Sequence, residues 1–143
     1  LPEIHYDGTN LFVDGNVYDS KTGLYRYKVW YYGSELFEGP LGFRREAVAV
    51  ARDRIVALGR DEKDGRWKIF DNGRVLVLPE GYRAHPSYAM LIHEQDLYVA
   101  LVDGNGNAAL WENGAITELG FNGYIDSLSY SEFTTTRYVT GRN

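Results

Sequence analysis

The sequence repeats itself at intervals of about 42 residues, and this repeat constrains the fold more than any other feature. Three segments carry an aromatic residue three positions before a glycine, and Gly33, Gly73 and Gly114 are 40 and 41 residues apart. A second series of apolar residues lies on separate segments and keeps a spacing of 43, 43 and 40 residues; its members are Phe12, Ile55, Tyr98 and Tyr138. Two independent series with one period indicate a repeated supersecondary unit.

Each repeat predicts four short strands. The first is rich in β-branched and aromatic residues, as at 97–101, and a polar loop follows it. The second carries the aromatic residue before the glycine, which we expect to pack in the core. The pairs Asn72-Gly73 and Asn113-Gly114 favour the positive φ angles of a type I′ turn, so they predict a hairpin between the second and third strands.

The segment 46–58 admits two interpretations. Its apolar residues fit one face of a helix that Gly59 would cap. Against a helix, four residues of the segment are β-branched and Arg54 would interrupt the apolar face. The register of the repeat favours two strands, at 47–51 and 54–58, joined by a turn at 52–53.

The repeat predicts an all-β fold: a β-propeller-like array of three four-stranded repeats in a single domain, 1–143. The repeats fall at about 10–52, 53–95 and 96–135, which leaves orphan strands at 3–6 and 137–140. Three blades do not close a ring, because closed propellers have about 4–8 blades. Exposed strand edges are seldom tolerated, so we expect a head-to-tail homodimer, with the leading strand completing a blade of another chain, or a part of a longer propeller.

A β-trefoil is the alternative fold. It also contains three four-stranded repeats of about 40 residues, and it closes within one chain. The segment from Trp67 to Val75 resembles the Trp-x-Phe-x-x-x-Gly-x-Ile pattern of trefoil lectins, although its spacing differs by one residue and the other repeats lack it.

The third repeat carries a family resemblance. It reads Asp96-Leu97-Tyr98-Val99-Ala100, then Ala109-Leu110-Trp111-Glu112-Asn113-Gly114, then Ser127-Leu128-Ser129-Tyr130. This resembles the repeat of poorly characterised bacterial secreted and lipoprotein β-propellers, and the other repeats match it more loosely. The resemblance implies a propeller and an extracellular, cell-surface or periplasmic location. It transfers no catalytic residues.

The charge distribution argues against nucleic acid as a partner. The net charge is −5, whereas binding to a phosphate backbone needs clustered Lys and Arg. Residues 1–43, 44–88 and 89–143 carry net charges of −3, +3 and −5, so the basic middle segment could face an acidic part of a neighbouring chain. No apolar run approaches the roughly 20 residues of a membrane-spanning helix.

The sequence indicates no enzyme site and no cofactor. It contains no Gly-x-Ser-x-Gly elbow, no phosphate-binding glycine loop and no Cys, and its three histidines lack a metal-ligand spacing. One candidate calcium loop alternates oxygen-bearing side chains at Asp103, Asn105 and Asn107. The later positions of a calcium loop are not matched there.

The candidate ligand-binding residues are tyrosines that could stack on sugars or contact protein: Tyr31, Tyr32 and Tyr82. We therefore expect a non-enzymatic binding or scaffold module of the propeller type, exported, with its ring closed by self-association and a glycan or protein as ligand. The alternative function is a monomeric carbohydrate-binding lectin of the trefoil type.

Overall fold

The computed structural model describes residues 2–6, 8–52, 54–122, 124–131 and 136–142, and in these residues it contains strands and no helix. The all-β prediction is confirmed. The strands are β1 (Glu3–Tyr6), β2 (Leu11–Asp19), β3 (Leu24–Tyr31), β4 (Ser34–Glu38), β5 (Phe43–Ala51), β6 (Arg54–Asp61), β7 (Trp67–Asp71), β8 (Arg74–Val77), β9 (Arg83–Ala84), β10 (Met90–His93), β11 (Asp96–Val102), β12 (Asn107–Glu112), β13 (Ala115–Asn122), β14 (Tyr124–Ser131) and β15 (Thr136–Arg142).

The strands form antiparallel sheets that follow chain order, in two compact units, 1–77 and 78–143. In the first unit, sheet 1 has the order β1-β2-β3-β4 and sheet 2 the order β5-β6-β7-β8. In the second unit, sheet 3 has the order β10-β11-β12-β13, with β9 also pairing with β11, and sheet 4 pairs β14 with β15.

The sheets begin one strand earlier than the repeat boundaries suggested. Glu3–Tyr6 is not an orphan strand, because it pairs along its length with β2, from Glu3 opposite Asp14 to Tyr6 opposite Leu11. The last strand pairs with β14 in the same way. The physical reason is local: each leading strand and the strand after it form an antiparallel hairpin, which closes more readily than a pairing with a more distant strand.

The segment 46–58 is two strands rather than a helix, as the repeat register favoured. β5 and β6 pair from Phe43 opposite Asp61 to Ala51 opposite Arg54, and Arg52 in the connection has a φ of 46°. The helical spacing of its apolar residues is therefore coincidental. Its β-branched residues instead lie in a hairpin, where such side chains pack well.

The predicted Asn-Gly turns are confirmed. Asn72 and Asn113 have φ angles of 46° and 49°, and the glycines that follow them have φ angles of 91° and 101°. Tyr32 and Gly33 adopt the same geometry, with φ angles of 47° and 86°, although Tyr32 stands where the other repeats have Asn. The repeated backbone thus imposes the turn even without its preferred residue.

The core of the first unit lies between sheets 1 and 2 and is rich in aromatic residues. Its buried members are Phe12, Tyr27, Val29, Phe43, Ile55, Ala57 and Phe70, with Tyr31, Phe37, Val48 and Val50 packed against them. Phe70 makes edge-to-face contacts with Tyr27 and Phe37, with ring centroids 5.7 Å and 6.3 Å apart. Such geometry adds to the burial of apolar area.

A second cluster lies between sheets 3 and 4 and is built of small residues. Ala100, Ala108 and Ile125 are fully buried, and they contact partly buried side chains that include Val139. His85 connects the two sheets: its backbone amide donates to the carbonyl of Ala100 at 3.0 Å, and its Nε2 accepts from the amide of Ile125 at 3.3 Å. The imidazole is 2% exposed.

Candidate functional site

The densest group of interacting ionisable side chains described in the first unit lies between sheets 1 and 2. We call it the Asp14 cluster, and its members are Glu3, His5, Asp14, Tyr27 and Arg45. Strands β1, β2 and β3 of sheet 1 supply four of them, and β5 of sheet 2 supplies Arg45. Side chains on one strand alternate between faces, so Glu3, His5 and Asp14 share the face of sheet 1 that Arg45 meets.

The Asp14 carboxylate is the centre of the cluster and is fully buried. His5 Nε2 lies 2.8 Å from its Oδ1, and the Tyr27 hydroxyl donates to its Oδ2 at 2.9 Å. Arg45 Nη2 donates to Oδ1 at 3.3 Å. A buried carboxylate with this many donors is stabilised in its charged form.

Arg45 connects the buried carboxylate to the edge strand. Its Nη1 donates to Glu3 Oε1 at 2.7 Å, and Glu3 is half exposed. Its Nε lies 3.0 Å from Asp14 Oδ2 but is not directed at that oxygen, so this buried nitrogen lacks a well-formed hydrogen bond to any described residue. The Nε contact is therefore electrostatic, whereas the two Nη contacts are hydrogen bonds.

The pKa shifts in the cluster favour fixed protonation states. Burial, followed by the charge of Asp14 and the hydrogen bond to it, raises the pKa of Tyr27 far above its ordinary value of 10.0. Burial alone would lower the pKa of Arg45, but the hydrogen bond to Glu3 and the charge of Asp14 outweigh it and raise that pKa. Tyr27 thus stays a hydrogen-bond donor and Arg45 stays a cation, which suits a clamp between two sheets better than proton transfer.

The structure places Tyr31 and Tyr32 side by side at the β3–β4 turn. Their rings meet edge to face with centroids 4.7 Å apart. The Tyr31 hydroxyl donates to Asn10 Oδ1 at 2.7 Å, and its ring packs on Phe12. Tyr32 donates to the carbonyl of Thr9 at 2.6 Å and is 55% exposed, so it offers a fixed aromatic surface to solvent.

Tyr82 belongs to the second unit and is described with it. Its hydroxyl forms a short hydrogen bond to Glu118 Oε1. That bond, with smaller contributions from burial and from the charges of Glu118 and Asp103, raises the pKa of Tyr82 above its ordinary value. Its hydroxyl is therefore already engaged within the chain.

The candidate calcium loop uses its first side chain to hold its own backbone. Asp103 Oδ1 accepts from the amides of Asn105 and Asn107, at 2.9 Å each. Within the ranges that the structure describes, no three His, Asp or Glu side chains are grouped closely enough to hold a metal ion. A calcium site at Asp103, Asn105 and Asn107 stays a prediction.

Sequence reasoning missed a series of aspartates that the structure brings out. Asp19, Asp61 and Asp103 are spaced by 42 residues each. Each carboxylate accepts a hydrogen bond from the backbone amide two residues further on, at 2.8 to 2.9 Å; these amides belong to Lys21, Lys63 and Asn105. Their regular spacing was visible in the sequence, and it marks the loop between the second and third strands of each sheet as an aspartate-held turn.

Comparisons with known proteins give no guide to the role of these residues. No family model, no curated protein and no solved structure matches the chain. The described segments include no helix of the length and hydrophobicity needed to cross a bilayer. The functional argument therefore rests on the sheets and on their surfaces.

Proposed function

We propose that this chain is a non-enzymatic binding or scaffold module of the β-propeller type, exported from the cell, in which two copies associate to close the ring. One observation carries the proposal. Sheets 1 and 2 each contain four consecutive strands and sheet 3 has four along its main path, whereas sheet 4 contains two strands in the described residues. A sheet of two strands is marginal alone, so it favours association with further strands.

The sheet topology supports a propeller over a trefoil. Strands that are consecutive in the chain pair within one sheet, and the described pairings join no strand of one sheet to a strand of another. Propeller blades are separate antiparallel sheets of this kind. In a trefoil, strands of different repeats would instead pair with one another in a common barrel.

The side-chain chemistry supports binding over catalysis. The Asp14 cluster joins two sheets, and its carboxylate receives bonds from the chain's own groups. Asp61 and Asp103 likewise accept bonds from loop amides. Side chains engaged in this way position the fold, so a ligand would contact surface loops and exposed aromatic residues instead.

The mass of the protein in solution tests the proposal. We expect sedimentation equilibrium over a concentration series to give a species of about twice the 16.3 kDa chain mass at micromolar concentration. A monomer throughout the series would overturn ring closure by self-association. Export is tested separately, by locating the protein in fractionated cells of its source; recovery in the cytosol alone would contradict it.

Tyr32 favours a second candidate function, glycan binding. Its ring is more than half exposed, and two contacts fix its orientation. We expect Tyr32→Asn, which suits the positive φ of the turn, to abolish any fluorescence response to a panel of oligosaccharides. Tyr18→Asn, at another exposed tyrosine, is the control. A panel to which the unaltered protein gives no response would exclude this function for those sugars.

A further inference from the structure

The packing of sheet 2 on sheet 1 identifies one face of each sheet as a receiving face. Five side chains of sheet 2 lie in the core against sheet 1: Val48, Val50, Ile55, Ala57 and Phe70. They form cross-strand rows, since Val48 pairs with Ala57 and Ala57 pairs with Phe70. Cross-strand partners and alternate residues point to the same side of a sheet, so these five residues define what we call the upstream face of sheet 2.

Sheet 1 has an upstream face at the same register positions. Ile4 pairs with Val13, Val13 pairs with Trp30, and Tyr6 pairs with Leu11. The members of this face are therefore Ile4, Tyr6, Leu11, Val13 and Trp30. They precede their counterparts in sheet 2 by 44 residues on the first two strands and by 40 on the third. All five are apolar or aromatic, as their counterparts are.

Sheet 3 repeats the same pattern. Met90 pairs with Val99, Val99 with Trp111, and Ile92 with Leu97. In this face Leu97, Val99 and Trp111 are 5% exposed or less. The upstream face thus carries apolar residues at every position in three sheets.

Exposure separates sheet 1 from the other two sheets. Ile4 is 74% exposed and Tyr6 is 66% exposed, whereas Ile55, Ala57 and Phe70 of sheet 2 are 3% exposed or less. An apolar row that is buried in its repeat counterparts and exposed in one sheet marks an interaction surface. Beside it, Lys28 and Arg26 form ion pairs with Glu35 and Glu38 at 3.1 Å and 3.0 Å, which gives the face a polar rim without unpaired charge.

The direction of packing is the same in both units. Sheet 1 contacts the upstream face of sheet 2 with residues of its opposite face, such as Phe12 and Val29. Sheet 3 contacts Ile125 and Val139 of sheet 4 with Ala100, which is adjacent to Val99 and so lies on the opposite face. The face of sheet 4 that contains Val139 is therefore occupied, and its other face continues the series.

We propose that the upstream face of sheet 1 binds the free face of sheet 4 of a second copy of this chain. The inference rests on the proposed self-association and names its surface. It extends to two copies the sheet-on-sheet contact that each unit already makes. A head-to-tail contact of this kind joins two different faces, so it closes a ring when the rotation fits.

Substitutions on the exposed edge of the face test the surface. We expect Ile4→Lys with Tyr6→Lys to weaken the dimer by about 100-fold or more in dissociation constant, because two charges would enter an apolar interface. Val77→Lys is the matched control, since Val77 is a 52% exposed apolar residue on β8 of sheet 2 and lies outside the face. Circular dichroism should show the same β content in all variants.

The outcomes separate the two proposals. A monomeric unaltered protein would overturn self-association and this inference together. A dimer that both lysine variants leave intact would overturn the inference alone. A dimer weakened equally by Val77→Lys would also overturn it, because the effect would then not be specific to the face.

Cross-linking tests the head-to-tail arrangement. The chain has no cysteine, so single introduced cysteines are the only thiols. Thr140 follows Val139 on β15 and is exposed, which places it on the free face of sheet 4. We expect a short bismaleimide to join Ile4→Cys to Thr140→Cys when the two variants are mixed. Cross-linking of Ile4→Cys to itself, without the mixed product, would indicate two sheet 1 faces meeting and would overturn the proposal.

Discussion

The sheet contacts in the two units differ in chemistry at matching positions of the repeat. Asp14 pairs with Val29 across β2 and β3, as Ala100 pairs with Leu110 across β11 and β12. Counted from the turn glycines, Tyr27 and Ala108 also match. The first unit therefore places a carboxylate and a phenol where the second has two alanines, and all four are fully buried.

The difference teaches how a repeated backbone distinguishes its neighbours. In the first unit, Arg45 of sheet 2 satisfies Asp14 of sheet 1 by a charged contact. In the second unit the polar connection is neutral, from the amide of Ile125 to the imidazole of His85. Either sheet placed against the wrong partner would leave a polar group buried and unsatisfied, so the side chains specify which sheet follows which.

The largest expected effect comes from removing the carboxylate. Asp14→Ala leaves Arg45 buried without its counter-charge, and we expect a loss of about 3–5 kcal/mol in the free energy of unfolding. Urea denaturation measures the loss, and hydrogen exchange should locate it in residues 2–77 and leave the second unit protected. The double variant Asp14→Leu with Arg45→Met should recover most of the stability. A full loss in the double variant would show that packing, rather than charge, is responsible.

The reverse test introduces volume into the second unit. Ala108→Leu overfills a position with no exposed surface, and we expect it to lower the free energy of unfolding by about 1–3 kcal/mol. Ala115→Leu, at an exposed position on β13, is the control and should have little effect. Equal stability of the two variants would mean that sheet 3 and sheet 4 are not held by close packing at Ala108.

The turns should respond alike in both units, because their hydrogen bonds are the same. Asn72 Oδ1 accepts from the amide of Ile55, and Asn113 Oδ1 accepts from the amide of Leu97, both at 2.8 Å. We expect Asn72→Ala and Asn113→Ala each to lower the free energy of unfolding by about 1–2 kcal/mol, through the lost bond and the positive φ. Glycine at either position should lose only the bond. Losses that differ strongly between the two sites would contradict a common turn.

The smallest expected effect is alkaline and confined to the first unit. The pKa of Tyr27 is raised above 10.0 in the folded chain, so its hydroxyl contributes its full stability below pH 10 and loses it progressively as the pH rises further. We expect Tyr27→Phe to lower the free energy of unfolding by about 1 kcal/mol at pH 7, and the gap to narrow above pH 10. Tyr18→Phe, at an exposed tyrosine, is the control. A gap that stayed constant to pH 11 would exclude the raised pKa.

Local features of the fold could be predicted from the sequence. The Asn72-Gly73 and Asn113-Gly114 hairpins follow from two adjacent residues, and the two strands in 46–58 follow from β-branching and the repeat register. The start of each sheet could not be predicted in the same way. A period fixes the distance between equivalent strands but not which strand is the first of a sheet, so Glu3–Tyr6 was separated from its partner β2.

The candidate sites were harder to predict, because the contacts join distant residues. Asp14 and Arg45 are 31 residues apart and meet only when sheet 2 packs on sheet 1. Composition shows neither the burial of Asp14 nor the approach of Tyr27. The aspartates at 42-residue spacing were accessible in principle, since their partners are two residues away. Tyr31, Tyr32 and Tyr82 were identified as residues, but their hydroxyl partners depend on the folded chain.

The pairing of Asp14 with Arg45 has a consequence for how such a chain can change its number of repeats. Duplicating or deleting a whole sheet would leave most apolar contacts intact, since the upstream faces of sheets 1 to 3 are alike. A copy of sheet 1 inserted before any sheet without an arginine at the matching place would carry a buried carboxylate with no cation. Sheets 1 and 2 should therefore be inherited together, as one unit of gene duplication.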